Sequence, residues 1–347
     1  MAIVSQGTQL TIKPDVFDVL MGGDMSWDPS STPLFSTLRK GPDTENAVLF
    51  QFPYDLPDAP VATGSAEGGR YAQAGTTTYG GRALLYGRMH HRKEFFGVGE
   101  VAQGNETYAT NGADEFTYQM RRALRKLVKS CEYITVGSQE SQAGNGSTTF
   151  VTRGLGNWIV DTTGIATQTD TACEVPAAFR PALAAVLIQT VTSSDYPLAE
   201  STVNGIFNTQ YNVLKDKLDY DVHCTTAFKS KVSAWGNLQV VDQSSAAATS
   251  VFMRRFNQSA ESRKIIATVD EWQGDAGKAR FHLHPWVGDA DLVEALFLDY
   301  RFCQYRVRKA PSARRLPDSG GGPEGVAEFT MGVQCMPLYL AKISTDV

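Results

Sequence analysis

Residues Gly112–Gly137 read GADEFTYQMRRALRKLVKSCEYITVG, a stretch with no proline and no internal glycine. Its apolar positions Phe116, Met120, Leu124, Leu127, Cys131 and Ile134 recur at spacings of four, four, three, four and three. That period draws one stripe along an α-helix and predicts that the stripe is a packing seam. Arg122, Arg125 and Lys129 fall off the stripe, while Asp114 and Glu115 open the first turn ahead of the cations, the order that complements the helix dipole. At about 1.5 Å per residue the helix reaches on the order of 36 Å, long for a globular protein, so other elements must support it along its length.

Upstream of the helix, Pro42 to His91 contains no lysine and is crowded with Gly, Thr, Ala and Tyr, as in GSAEGGRYAQAGTTTYGG. This composition predicts an extended excursion. Two β-prone flanks, AVLFQF (Ala47 to Phe52) and RALLYGRMHH (Arg82 to His91), are placed to pair as its base. Met1 to Gly41 is irregular, broken by Gly22, Gly23, Pro29 and Pro33, and has too few apolar residues for a core of its own.

Downstream, Pro181 to Val191 and Ser201 to Leu214 read as helices, with Pro181 in a first turn and Ser201 as a cap. A strand at Tyr220 to Cys224 leads into TAFKSKVSAW, a short helix capped by Thr225 or Thr226 with Phe228, Val232 and Trp235 on one side. Strands are expected at Ile265 to Asp270, Arg280 to His284, Leu296 to Tyr300 and Val326 to Cys335. In the last, alternation predicts one buried face. The fold class is α+β with an α/β middle.

The 347 residues are 42% hydrophobic and 20% charged, a globular balance, and the formal net charge of -5 argues against a free-standing nucleic-acid reader. Five scattered cysteines without a CxxC pair read as buried, reduced thiols. No apolar run approaches the roughly 20 residues that span a bilayer, so no membrane partner is expected.

Catalytic signals are sparse. His282 and His284 would leave one face of a strand, but no grouped ligand accompanies them, while His90 and His91 would point to opposite faces. Neither GxSxG nor GxxxxGK[ST] occurs, and GVGEVAQG (Gly97 to Gly104) lacks the third glycine of a dinucleotide fingerprint. The acidic runs Asp270 to Asp275 and Asp289 to Glu294 read as solvated loops. We therefore expect no catalytic residue, cofactor or metal. The basic segment Arg301, Arg306, Arg308, Lys309, Arg314 and Arg315 suits contact with an acidic patch on a neighbour more than phosphate. Arg70, Arg82 and Arg88 of the excursion are further candidates for contact between subunits.

An irregular arm, a polar excursion, a long helix, an α/β middle and returning strands make a poor monomer and suit a subunit completed by neighbours. This order resembles that of tailed-bacteriophage major capsid proteins with the Hong Kong-type fold, shared with encapsulins and herpesvirus shells. TPLFSTLRKG, FFGVGEVAQGNETYATNGADEFTYQMRRALRKLVKSCEYITVGSQ, GLGNWI, NGIFNTQYN, VDEWQGDAGKARFHLHP and LFLDYRFCQYRVRKAPSARRLPDSGGGPEGVAEFTMGVQCMPLYLAKI resemble one branch of it.

The resemblance implies an N-arm (1–41), an E-loop and its base (42–104), and a peripheral (P) domain with the spine helix (105–155). An axial (A) domain (156–295) and C-terminal P-domain strands (296–347) follow. It also implies pentamers and hexamers enclosing double-stranded DNA in a virion assembled in the host cytoplasm. The partners it implies are the chain itself, a portal protein, a decoration protein, non-specific packaged DNA and a separate scaffolding protein, since no long helical segment fits before residue 42. Some relatives join neighbours through an E-loop lysine. Here Lys40 and Lys93 are the nearest, so that crosslink is not expected. The rival readings are an encapsulin-like compartment, which gene neighbours would distinguish, and a hydrolase using exposed Trp272 and Trp286, which would need a paired-carboxylate cleft.

Overall fold

The computed structural model describes residues 2–4, 32–41, 48–60, 62, 67, 81–100, 115–161, 168–190, 198–235, 238–241, 250–253, 256–259, 262–265, 269–289, 292–317 and 320–346. Strand β1 (Ala2–Val4), helix α1 (Pro33–Thr37) and β2 (Arg39–Gly41) precede β3 (Leu49–Asp55), β4 (Arg82–Arg88) and β5 (His90–Val98). The long helix α2 (Glu115–Val136) is followed by α3 (Leu155–Trp158), β6 (Val186–Thr190), α4 (Glu200–Leu214), β7 (Leu218–Cys224) and α5 (Thr226–Trp235). Four short strands follow, β8 (Leu238–Val241), β9 (Ser250–Met253), β10 (Phe256–Ser259) and β11 (Ser262–Ile265). The chain closes with β12 (Glu271–Gln273), β13 (Gly277–Leu283), β14 (Val293–Leu298), β15 (Cys303–Arg315), β16 (Glu324–Cys335) and β17 (Ala341–Asp346).

Two sheets organise these elements, a five-stranded one in the order β1-β5-β16-β15-β2 and a six-stranded one in the order β12-β13-β7-β14-β17-β6. Helix α2 packs along β5, β15 and β16, which supplies the support its length requires. Among the described residues no helix is long and apolar enough to cross a membrane.

The expected stripe is placed unevenly. Leu127 and Cys131 are fully buried, and Phe116, Met120 and Leu124 are half-buried against the core. Ile134 is half-exposed outside the apolar cluster, and Thr135 and Val136 take the inward positions instead. The reason is polar: Tyr305 donates its hydroxyl to Thr135 Oγ1 at 3.1 Å, while the Thr135 hydroxyl donates to the Cys131 carbonyl at 2.8 Å. An apolar count cannot see a threonine satisfied in this way.

The two flanks of the excursion do pair: β3 and β4 form an antiparallel ladder from Leu49↔Arg88 to Asp55↔Arg82. Strand β16 departs from the one-sided reading, being buried on both faces over nearly its whole length. Its odd-numbered residues share a face with Tyr305 and hence with α2, and the Phe50 ring of β3 lies over Gly332 on the other. On that second face, Thr330 meets His91 at 2.8 Å and Glu328 is paired with Lys309.

The helix expected over Pro181 to Val191 is absent from its described residues, 181–190. These residues form a 3-10 turn, Leu183–Ala185, and then edge strand β6, which runs parallel to β17. Short apolar runs do not distinguish helix from buried strand by periodicity. Helix α4 begins at Glu200, with Ala199 rather than Ser201 at the N-cap, whereas Thr225 Oγ1 accepts from Phe228 N at 3.2 Å and caps α5. Of the strand expected over Ile265 to Asp270, Ile265 ends β11, Val269 and Asp270 lie outside any strand, and 266–268 fall outside the described residues.

All five cysteines are buried and unpaired, and burial pushes the thiols up, to about 11 for Cys173 and about 12 for Cys224. Gly322, at φ +104, sits where an added Cβ would lie 2.3 Å from the Val98 carbonyl oxygen, so the loop between β15 and β16 approaches the end of β5 closely.

Candidate functional site

The histidines singled out by sequence lie near one another without converging. His282 Nε2 is 3.0 Å from Asp221 Oδ1, and His284 Nε2 is 3.0 Å from Glu132 Oε1. Between them lies His223, with ring centroids 5.7 Å from His282 and 5.3 Å from His284. Its Nε2 meets the Tyr300 hydroxyl at 2.7 Å, and burial, reinforced by the two neighbouring rings, lowers its pKa to about 3. Among the described residues no group of three or more His, Cys, Asp or Glu could hold a metal ion. His90 and His91 turn to different partners, the Phe150 carbonyl at 3.0 Å and Thr330 Oγ1. Burial lowers His90 to about 4.

The two tryptophans that the sequence reads as exposed pack on other aromatic rings. Trp272 is half-buried against Phe207, with centroids 5.1 Å apart, and Trp286 against Tyr133 at 6.1 Å.

Among the described residues, a polar network lies at the base of the β3–β4 hairpin. Arg88 closes a two-pronged ion pair on Asp170, with Nη2 to Oδ1 at 3.0 Å, and both side chains are largely buried. The Ser141 hydroxyl lies 2.9 Å from Asp170 Oδ2 and 2.7 Å from Glu140 Oε1. Glu140 also accepts from Arg153 Nη2 and Asn157 Nδ2, each at 2.8 Å, and Arg153 Nη1 donates to the Cys173 carbonyl at 2.5 Å. The Arg88 guanidinium, with the Ser141 hydroxyl behind it, holds the Asp170 carboxyl at about 2. The hairpin, whose Phe50, Phe52, Tyr54 and Leu85 already enter the core, is thereby also tied to the segments that follow α2.

The arginines expected at subunit contacts divide into two groups. Arg88 is committed to Asp170, Arg306 donates to Gln334 Oε1 at 2.5 Å, and Arg315 stacks over Phe116 at 5.7 Å, all within one chain. Burial lowers the Arg306 pKa. Arg315 is nonetheless exposed, as are Arg82 and Arg314, while Arg308 is half-buried. Arg82 bridges Asp55 across the exposed end of the hairpin, and Arg314 lies 3.5 Å from Glu328 while two-thirds exposed. Arg308 lines a cavity of about 450 Å³ with Lys309, His91, Val48 and Phe150. Arg70 lies outside the described residues.

Sequence reasoning missed Glu132, Glu140 and Asp170. Each is a single acid in an ordinary setting, and its arginine, histidine or amide partners are distant in the chain, so no local spacing announces it.

A long helix backed by one sheet, a hairpin tied to its flank and a second mixed sheet are the parts expected of the Hong Kong-type capsid fold. Solved structures of that fold superpose over almost the full chain. The capsid of a native GTA particle matches at a TM-score of 0.55 and 12% identity, covering 92% of both chains. Mycobacterium phage Adephagia matches at 0.54 and 12% identity, covering 100% of this chain and 99% of that one. Gordonia phage Cozz matches at 0.52 and 13% identity, covering 98% and 93%. No curated protein sequence matches. The family model for the SU10 major capsid protein matches residues 4–343, and the chain belongs to that family, the major capsid proteins of phage virions.

Proposed function

We propose that the protein assembles into pentamers and hexamers that close an icosahedral head around double-stranded DNA, and that it catalyses no reaction. The observation that carries this reading is the outer face of the β3–β4 hairpin. Burial alternates strictly along β3, and the exposed row carries Leu49, Gln51, Pro53 and Asp55, beside Leu84 on β4. Leu84 is 47% exposed and Leu49 37%. Apolar residues along an outward-facing two-stranded ladder suit cover by another copy.

In this reading 1–41 works as the N-arm, 42–104 as the E-loop with its base, and 105–155 with 296–347 as the P-domain around the spine α2. Residues 156–295 make the A-domain. Arg82, Arg308 and Arg314, which keep some exposed surface, serve contacts between subunits. The portal, a separate scaffolding protein, a decoration protein and non-specific DNA are the further partners, and assembly takes place in the host cytoplasm. The lysine-free E-loop supports shells held without an isopeptide weld. Electron microscopy of the purified protein is the test: closed shells or capsomer sheets support the reading, and monodisperse monomers with enzymatic turnover overturn it.

A further inference from the structure

The segment 33–41 is held to the rest of the chain by a buried charge. Glu132, in the inward face of α2, has no exposed side-chain surface. Its Oε1 accepts from Leu34 N at 2.7 Å and from His284 Nε2 at 3.0 Å, and its Oε2 accepts from Phe35 N at 2.8 Å. The His284 side chain is equally inaccessible, and its Nδ1 accepts the Trp286 amide at 3.2 Å, which leaves Nε2 to carry the hydrogen donated to Glu132. A carboxylate removed from water is costly unless its oxygens are met by donors, and here three donors meet them.

Two of the three donors are backbone amides almost a hundred residues distant in the chain, and the third belongs to the turn that follows β13. The chemistry demands a carboxylate. A glutamine would present one oxygen and one NH2 group, so in either orientation its NH2 would face a donor. Apolar contacts around the joint are modest: Leu34 and Leu38 are buried, and Phe35 reaches Tyr305 and Phe329 with centroids 5.9 and 5.8 Å apart. Beyond them, β2 adds a three-residue parallel pairing to β15.

We propose that Glu132, oriented by His284, is a pin that fixes residues 33–41 to their own subunit. The N-terminal segment then does not pivot at Gly41, where the arm was expected to end; its fixed joint is Pro33–Phe35, and 33–41 belongs to the body. The same pin sets the spacing between α2 and the turn after β13, so the three parts lock together. The inference rests on contacts within one chain and stands apart from how the arm serves assembly.

The test uses the full-length protein with Glu132→Gln and His284→Gln, read by hydrogen exchange across 33–38 and by tryptic cleavage at Arg39 and Lys40. Glu132→Gln is expected to raise both at least tenfold while exchange in α4 stays unchanged. His284→Gln, whose amide can still donate, should raise them less than threefold. Unchanged exchange over 33–38, or an equal rise in α4, overturns the proposal. Should Glu132→Gln yield no folded protein, Glu132→Asp keeps the charge but draws it back by one methylene. Loosening of 33–38 supports the pin, and an unaltered rate overturns it. Particle assembly is scored separately by electron microscopy, so failure of the capsid reading would not be mistaken for failure of the pin.

Discussion

Replacing Asp170 by asparagine should free the β3–β4 hairpin while leaving the rest of the subunit folded. The carboxylate is only 12% exposed, and Arg88 opposite it is 15% exposed, so solvent screens the pair little. Lowering of the Asp170 pKa from 3.8 to about 2 corresponds to roughly 2 kcal/mol of stabilisation of the ionised form. An Arg88 left without its carboxylate adds a desolvation cost of similar order. Amide exchange in β3 and β4 should therefore accelerate about 30-fold or more, while α2 stays protected. Because the folded pKa is depressed, the stabilisation is fully present above pH 3.8 and is lost as pH falls toward 2. Wild-type hairpin exchange, corrected for intrinsic rates, should rise across that window, and the Asp170→Asn protein should show no further rise. Arg82→Ala, at the exposed end of the same hairpin, is the control and should change nothing measurable. Unchanged protection in Asp170→Asn would refute the claim that the ion pair anchors the hairpin.

Leu127→Asp, which puts a charge at a fully buried position of α2, should cost several kcal/mol and abolish soluble expression, whereas Ile134→Asp and Arg122→Ala should be tolerated within about 1 kcal/mol. His90, lowered from 6.5 to about 4, is protonated first in the unfolded chain, so stability should fall by roughly 3 kcal/mol between pH 7 and 4 from this group. A denaturation midpoint that loses less in acid for His90→Gln than for wild type would bear this out. Gly322→Ala forces a side chain at φ +104 against the Val98 carbonyl and should cost at least about 1 kcal/mol, seen as a lower Tm. Denaturing, reducing electrophoresis of purified particles should give a single band; a ladder of covalent multimers would show that a residue outside the E-loop supplies a crosslink.

The parts of the fold that were legible are those where local periodicity and tertiary demand agree. Helix α2 and the β3–β4 pairing are of this kind: apolar spacing marks the helix, and two β-prone flanks around a polar excursion mark the ladder. Strand β15 falls in the basic segment that sequence reads as a contact surface, yet it pairs with β16 between Cys303 and Arg315, with register shifts on either side of Lys309. Strand β6 lies where the sequence predicts a helix, because only its parallel partner β17, more than 150 residues further on, decides the matter. For the candidate site, the sequence offers cations but not their partners. Arg88 could be recognised as a cation but not as one already paired, because Asp170 lies 82 residues away.

The three carboxylates that sequence did not reveal stand at joints between elements that also pack through apolar contacts. Glu132 meets the N-terminal segment, Asp170 meets the hairpin, and Glu140 joins Arg153 and Asn157 across the turn that leaves α2. Hydrophobic burial attaches a segment without fixing its direction, since it scales with area and is indifferent to orientation. A carboxylate with two oxygens and fixed donors specifies both direction and register. Buried ion pairs add little net stability, because desolvation offsets most of their attraction. Their value at these joints is geometric: a segment docked by area alone could settle at several angles, while one docked on a charge has a single satisfied arrangement. A shell built from many copies needs that uniformity at the joints between helix, hairpin and arm.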